Sequence, residues 1–152
     1  MTERVWKRIA LGYLAVVSLQ IGVWAQFAPK SFYDGFPGLG RAWVDVDGPY
    51  NEHLVRDVGG LYLGLGVLIV AAIVTLARSI VITASVAVLA SGVPHLIYHV
   101  THRAGLGAGD LAASLTGQVL IAAIPIALLV GERRPDERRP DDRRPEVGSG
   151  VT

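Results

Sequence analysis

The stretch LVRDVGGLYLGLGVLIVAAIVTLA, residues 54–77, decides the fold of this chain. From residue 58 onward it contains no charged side chain. Crossing the ~30 Å hydrocarbon core of a bilayer takes about 20 such residues at about 1.5 Å per residue. Since that core offers no water to the backbone, the segment must satisfy its own hydrogen bonds as a helix. We therefore predict a membrane-spanning helix here.

Three further apolar stretches of similar length flank this one. Together they predict four spans, at about 9–27, 54–77, 80–101 and 111–130. The predicted fold is all-α, a polytopic membrane four-helix bundle. Residues 1–131 form its transmembrane domain, and residues 28–53 form a long loop between the first two spans.

The composition excludes several classes of protein. Only 18% of the residues are charged and 51% are hydrophobic, whereas about a quarter are charged in soluble proteins, so a soluble globular domain is excluded. A formal net charge of +1 excludes nucleic-acid binding through bulk electrostatics. The absence of Cys excludes disulfides, thiolate metal sites and Cys nucleophiles.

Basic residues near the span ends predict the orientation, because cytoplasmic flanks carry the excess of Lys and Arg. The heavier set comprises Arg4, Lys7, Arg8, Arg78 and the arginines after residue 132. The lighter set comprises Lys30, Arg41, Arg56 and Arg103. We therefore predict a multi-pass protein of the cell (plasma) membrane with both termini cytoplasmic, and with the 28–53 loop facing outward.

The last residues, 132–152, repeat Arg-Arg-Pro between acidic residues. Regular Pro and dense mixed charge cannot bury a core, so we predict a disordered, solvated cytoplasmic tail. Docking to a partner or to anionic lipid is the alternative. The balanced charge disfavours lipid, which needs a net basic cluster.

The 28–53 loop collects aromatic residues, which prefer the head-group level of a membrane. A Pro-initiated segment from Pro29 to Tyr33 predicts a short interfacial helix that ends at residues 35–38. We expect the loop to lie over the bundle. The aromatic residues are Phe27, Phe32, Tyr33, Phe36, Trp43 and Tyr50.

Placing a polar or ionisable side chain within a membrane span costs free energy, so each such residue suggests a function. His95, His99 and His102 recur at helical spacing on the third span, and His53 and Asp57 stand four apart on the second. Small residues continue the His53/Asp57 face and predict that it points into the bundle; they are Gly60, Gly64 and Ala71. Further polar residues predicted at the same level are Gln20, Gln26, Asp110, Ser114 and Gln118.

Our leading interpretation of this convergence is an outward-facing His/carboxylate pocket that binds a transition metal such as Zn, Cu or Fe. The core ligands would be His95 and His99, opposed by His53 and Asp57. Rim candidates are His102, Glu52 and Asp110. The spacing lacks the Glu of the HExxH signature, so no catalytic residue is assigned and enzymatic activity stays open.

Two alternatives remain. The histidines, which titrate near neutral pH, would serve a proton relay or a ligand pocket. Otherwise the polar residues form a structural hydrogen-bond network between helices, with Asn51 and Asp110 as helix caps. In that reading the chain is a non-enzymatic accessory or interaction subunit. Its partners would be the lipid bilayer and a homo-oligomer or membrane complex, without nucleic acid.

Two stretches carry a family resemblance. FYDGFPG at 32–38 and PYNEHLVRDVG at 49–59 resemble a group of uncharacterised actinobacterial four-helix integral membrane proteins. The size, the four spans and the Gly-rich second span are also loosely similar to the DoxX-like superfamily. That second resemblance implies a redox-linked accessory role, while the first implies no particular activity.

Overall fold

The computed structural model describes residues 2–102 and 105–132. Within these residues the chain forms five α-helices, one two-stranded hairpin and one 3-10 turn. The helices are α1 Glu3–Phe27, α2 Pro29–Gly35, α3 Glu52–Thr75, α4 Arg78–Thr101 and α5 Ala108–Glu132. The strands are β1 Pro37–Gly38 and β2 Arg41–Ala42, and the 3-10 turn is Asp45–Asp47.

Four of these helices, α1, α3, α4 and α5, are long and apolar enough to cross a membrane. They coincide with the four predicted spans, and they indicate a multi-pass membrane protein. A short helix is also present where the segment beginning at Pro29 was predicted to form one, as α2. Apart from Glu132, the predicted tail lies outside the described residues, as does Arg103.

The described residues are mostly helical, as predicted, but the 28–53 loop contains a short antiparallel hairpin that the sequence did not indicate. Pro37 pairs with Ala42, and Gly38 pairs with Arg41. The reversal is tight because Gly38, Leu39 and Gly40 all take positive φ, at 102°, 60° and 74°. Glycine takes such values without steric cost, so the glycines at 38 and 40 permit the hairpin.

The helices form two closely packed pairs, α1 with α3 and α4 with α5, whereas α3 and α4 touch less extensively. Glycines set the approach of the first pair. A Cβ added to Gly59 would lie 2.4 Å from the backbone nitrogen of Gln26. One added to Gly66 would lie 2.5 Å from the Leu19 side chain, and one added to Gly22 would lie 2.7 Å from the Leu63 nitrogen.

The fully buried core lies in the half of the bundle away from the 28–53 loop. Leu11, Ile69, Val81 and Leu128, one from each spanning helix, have 0% exposure and pack in one cluster. We call the two ends of the bundle the loop end and the opposite end. The core joins all four helices near the opposite end, whereas the close contact of Gly59 with Gln26 joins α1 and α3 at the loop end.

An ion-pair cluster closes the opposite end. Lys7 Nζ lies 2.5 Å from Glu132 Oε1 and 2.9 Å from Glu3 Oε1. Arg78 Nε donates a hydrogen bond to the backbone oxygen of Glu132 at 3.2 Å. The cluster therefore ties the start of α1 and the start of α4 to the end of α5. Glu132 belongs to this cluster and to α5, not to the predicted tail.

Candidate functional site

Two of the predicted ligands come together near the loop end of α4. The rings of His95 and His99 lie 4.6 Å apart, centroid to centroid, in an edge-to-face arrangement. His99 is 9% exposed. Neither ring has a hydrogen-bond partner among the residues that the structure describes. The one-turn spacing thus delivers two adjacent imidazoles, as helical geometry requires.

His102 does not join this pair. The helix ends at Thr101, and His102 takes an extended conformation with φ −117° and ψ 100°. Its ring stacks on Tyr98 at 4.5 Å and 10°, and its Nδ1 lies 3.0 Å from Thr101 Oγ1. The predicted cluster of three imidazoles does not form, because His102 is the C-terminal cap of α4 and its ring packs on Tyr98 instead of on His99.

His53 and Asp57 form a pair on the surface of α3. Their side chains are 84% and 55% exposed, with His53 Nε2 3.4 Å from Asp57 Oδ2. The prediction that this face points into the bundle was therefore wrong. The physical reason is that α3 makes its closest contacts with α1 at Gly59 and Gly66, and not at Gly60 and Gly64. In this rotation of α3, the side chains of His53 and Asp57 point away from α1.

Glu52 belongs to a contact between α3 and α1. Arg56 Nη2 lies 2.9 Å from Glu52 Oε1, and Arg56 Nη1 donates to the backbone oxygen of Gln26 at 2.5 Å. The last carbonyls of a helix lack intrahelical partners and attract cations. Arg56 therefore caps the end of α1 from the start of α3. Asn51 caps α3 as predicted, its side chain accepting from the Leu54 nitrogen at 3.2 Å.

Asp110 holds the hairpin against α5. Its Oδ1 accepts from Arg41 Nη1 at 2.5 Å and from Trp43 Nε1 at 3.0 Å. Asp110 lies inside the first turn of α5, which begins at Ala108, so it is not the helix cap that the sequence suggested. Sequence reasoning missed Arg41 and Trp43 as its partners, and no local signal connects residues so distant in the chain.

Aromatic rings fix the rest of the loop to the end of α1. Trp24, Phe32, Phe36 and Trp43 form a chain of ring contacts, with centroids 4.9–6.3 Å apart in its closest and widest pairs. The edge-to-face contact of Trp24 with Phe32 is of the favourable kind. The aromatic residues therefore hold the loop over the end of α1.

A second group of contacts in the loop surrounds Lys30. Its ammonium group lies 5.4 Å from the ring centroid of Tyr33 and 5.5 Å from that of Tyr50. The hydrogen bond from Lys30 to Asp34 raises the pKa of this lysine above its ordinary value of 10.5. Lys30 thus stays charged at physiological pH and links α2 to the segment that leads into α3.

The seven predicted metal-site residues are therefore distributed over separate contacts. Among residues 2–102 and 105–132, no group of three or more His, Asp or Glu side chains is placed to hold a metal ion. Only His95 and His99 combine proximity with burial of one ring. The convergence of four helices on one polar site, as the sequence suggested, does not occur in the part of the chain that is described.

A cavity of about 400 Å³ lies between α3 and α4 near the middle of the bundle. We call it the α3–α4 slot. It is partly open to the surroundings, and its lining is almost entirely apolar. Its lining includes Val58, Leu61, Tyr62, Gly64, Leu65 and Ser91. The slot lies where α3 meets α4, a contact less extensive than those within the two helix pairs.

Residues 6–106 match a family described as a domain of unknown function, DUF4345. The chain belongs to the DUF4345 family. The DUF4345 region covers α1 to α4 and the 28–53 loop, and it ends before α5. No curated protein and no solved structure matches the chain. The DUF4345 assignment agrees with the predicted uncharacterised membrane family, while the actinobacterial and DoxX-like resemblances stay predictions.

Proposed function

We propose that this DUF4345 protein is a non-enzymatic accessory or interaction subunit of the cell membrane, whose polar residues at the loop end are structural. The observation that carries the proposal is the Asp110 carboxylate, which accepts from Arg41 and Trp43 at once. Both donors reach the same carboxylate oxygen, Oδ1, so this side chain already has a structural role that requires no metal. Arg56 plays a similar role between α3 and α1.

The accessory role has two parts. The polar contacts keep the 28–53 loop folded against the bundle, which gives a partner a defined surface to recognise. The apolar helix faces supply the lipid contact, and a homo-oligomer or a membrane complex would be the working assembly. We further propose that both termini are cytoplasmic and that the loop faces outward, from the distribution of Lys and Arg.

A second candidate function is transition-metal binding at His95 and His99. The 4.6 Å separation of two imidazoles without hydrogen-bond partners among the described residues supports it. Neutral imidazole is a common ligand of Zn, Cu and Fe. Two protein ligands leave coordination positions open, so this reading requires further ligands from outside the described set.

Elemental analysis separates the two candidates. The protein would be purified without a His tag, beside the His95→Ala/His99→Ala double variant and an Asp110→Asn variant. The accessory proposal expects no stoichiometric metal in any sample and a lower thermal midpoint for Asp110→Asn. Near-stoichiometric Zn, Cu or Fe in the wild type that is lost in the double variant would contradict it and establish the metal site.

A further inference from the structure

The α3–α4 slot has the size and chemistry of a ligand site. Its volume of about 400 Å³ lies within the roughly 300–1,000 Å³ usual for ligand pockets. It is lined mainly by apolar side chains of two spanning helices, α3 and α4. In a bilayer such a space is surrounded by hydrocarbon, and leaving it unfilled forfeits dispersion contacts along the whole lining. A hydrocarbon chain is therefore the occupant that these walls fit.

The lining of the slot also contains a hydroxyl group that can bind a ligand oxygen, that of Tyr62. The hydroxyl of Tyr62 has no hydrogen-bond partner among the residues that the structure describes. Ser91, the other hydroxyl of the lining, is already bonded to the carbonyl oxygens of Ala87 and Val88 at 3.3 and 3.1 Å. Tyr62 is thus the group of the slot that is available to donate to a ligand oxygen.

The depth of Tyr62 suits an ester carbonyl. Asp57 is the last charged residue before α3 becomes apolar, so it marks the edge of the hydrocarbon region. Tyr62 follows five residues later, about 7.5 Å deeper at about 1.5 Å per residue. Because helical side chains lean toward the N-terminus, we expect its hydroxyl to approach the level at which acyl chains join glycerol.

Charge at the mouth of the slot selects the head group. Asp57 stands one helical turn before the lining residue Leu61 and therefore on the same face of α3. Its carboxylate is 55% exposed and lies 3.4 Å from the exposed ring of His53. The basic Arg56 is already paired with Glu52 and with the Gln26 carbonyl. No surplus basic cluster is present among the described residues at this mouth, as binding of an anionic lipid would require. A carboxylate instead suits a head group that carries an ammonium ion.

We propose that the α3–α4 slot binds one acyl chain of a zwitterionic aminophospholipid from the surrounding bilayer. Tyr62 donates a hydrogen bond to the ester carbonyl, and Asp57 faces the ammonium group. The lipid would fill the sparse contact between the two helix pairs and act as a structural ligand. This inference goes beyond the accessory function and does not depend on it.

Photo-cross-linking of the full-length protein in liposomes tests the proposal. The probe is phosphatidylethanolamine with a diazirine in one acyl chain, at low fraction in phosphatidylcholine. After irradiation, mass spectrometry locates the adducts. We expect them to concentrate on residues 58–68 and 87–91. Adducts spread evenly over all lipid-facing helix surfaces would overturn the proposal, because an unoccupied slot would offer the probe no preferred position.

Gly64→Leu is the decisive variant. A Cβ at Gly64 meets nothing within 4 Å, so a leucine fills the slot without a backbone clash. We expect slot adducts to fall about tenfold, as a loss of about 1.4 kcal/mol in affinity would give. Gly117→Leu on α5, which also has free space and does not line the slot, is the matched control and keeps wild-type labelling. Equal labelling of both variants would refute the assignment.

Two further samples test the polar contacts. Tyr62→Phe keeps the ring and removes the hydroxyl, so we expect slot adducts to fall about fivefold, as one hydrogen bond predicts. An acyl-diazirine phosphatidylglycerol probe should label the slot less than phosphatidylethanolamine does. Wild-type labelling of Tyr62→Phe would contradict the role of the hydroxyl, and preferred labelling by phosphatidylglycerol would contradict the choice of head group.

Discussion

At the residue scale, single glycines decide how α1 and α3 meet. Gly59 and Gly66 stand seven residues apart and face α1, whereas Gly60 and Gly64 have no such close backbone contact. Small residues let helices approach closely, and close approach is a main source of attraction between helices in lipid. The rotation of α3 about its own axis therefore follows from Gly59 and Gly66. That rotation exposes His53 and Asp57.

Gly59→Ala should destabilise the protein by about 1–3 kcal/mol, because its methyl group would overlap the backbone of Gln26. The measurement is the thermal or denaturant unfolding midpoint in detergent. Gly64→Ala is the matched control on the same helix, and its added Cβ meets nothing within 4 Å. Gly64→Ala should leave the unfolding midpoint unchanged or raise it, because alanine has a higher helix propensity than glycine. Equal losses for both variants would contradict the α1–α3 contact.

At the element scale, the hairpin of the 28–53 loop is held by contacts distant in sequence. Asp110 accepts from Arg41 and Trp43 across 69 and 67 positions. The aromatic chain from Trp24 to Trp43 holds the same hairpin to α1. The loop thus bridges α1 and α5, two helices that touch little within the bundle.

Asp110→Asn should loosen the hairpin and speed tryptic cleavage after Arg41 about fivefold. The ion pair is partly exposed, at 45% and 36% for its two side chains, so we expect it to contribute about 1 kcal/mol. The measurement is the rate of limited proteolysis in detergent. Asp34→Asn, which breaks the exposed Lys30 pair, is the control and should leave that rate unchanged. An unchanged rate of cleavage in Asp110→Asn would contradict the role of Asp110 in holding the hairpin.

At the scale of the whole molecule, the two ends of the bundle are closed by different means. The opposite end has the apolar core and the Lys7–Glu132 pair, whose side chains are only 13% and 9% exposed. The loop end has the helix caps and the hairpin, while the α3–α4 slot lies near the middle of the bundle. We therefore expect stability to be concentrated near the opposite end, and partner contacts near the loop end.

Glu132→Gln should lower stability by about 2 kcal/mol, since it weakens a charge-assisted hydrogen bond to a half-buried ammonium group. The Lys7→Met/Glu132→Gln double variant should lose less than the sum of the two single changes. A double-mutant cycle in detergent measures this coupling. Strict additivity would show that the pair does not tie α1 to α5.

Single-cysteine variants test the orientation, because the chain has no Cys of its own. Leu39→Cys lies at the fully exposed tip of the hairpin, and Ser79→Cys lies at an exposed position in the first turn of α4, next to the connection from α3. In intact cells we expect a membrane-impermeant maleimide to label position 39 and to leave position 79 unlabelled until the cells are opened. The reverse pattern would overturn the predicted cytoplasmic termini.

The sequence alone determined the helices of this protein. Length and hydropathy are local properties, so the four spanning helices could be predicted from them. The Asn51 cap and the Pro-initiated α2 followed from local backbone chemistry in the same way. The adjacency of His95 and His99 needed only the helical repeat. Each of these features depends on residues within one or two turns of one another.

Only the tertiary structure decided which residues meet. Two overlapping glycine registers on α3 both suit close helix packing, and the periodicity of one helix cannot show which of them α1 selects. The partners of Asp110 and the contact of Lys7 with Glu132 span more than 60 positions, so no local pattern indicates them. The predicted single polar site became several separate contacts, because helix rotation and long-range pairing are properties of the packed bundle.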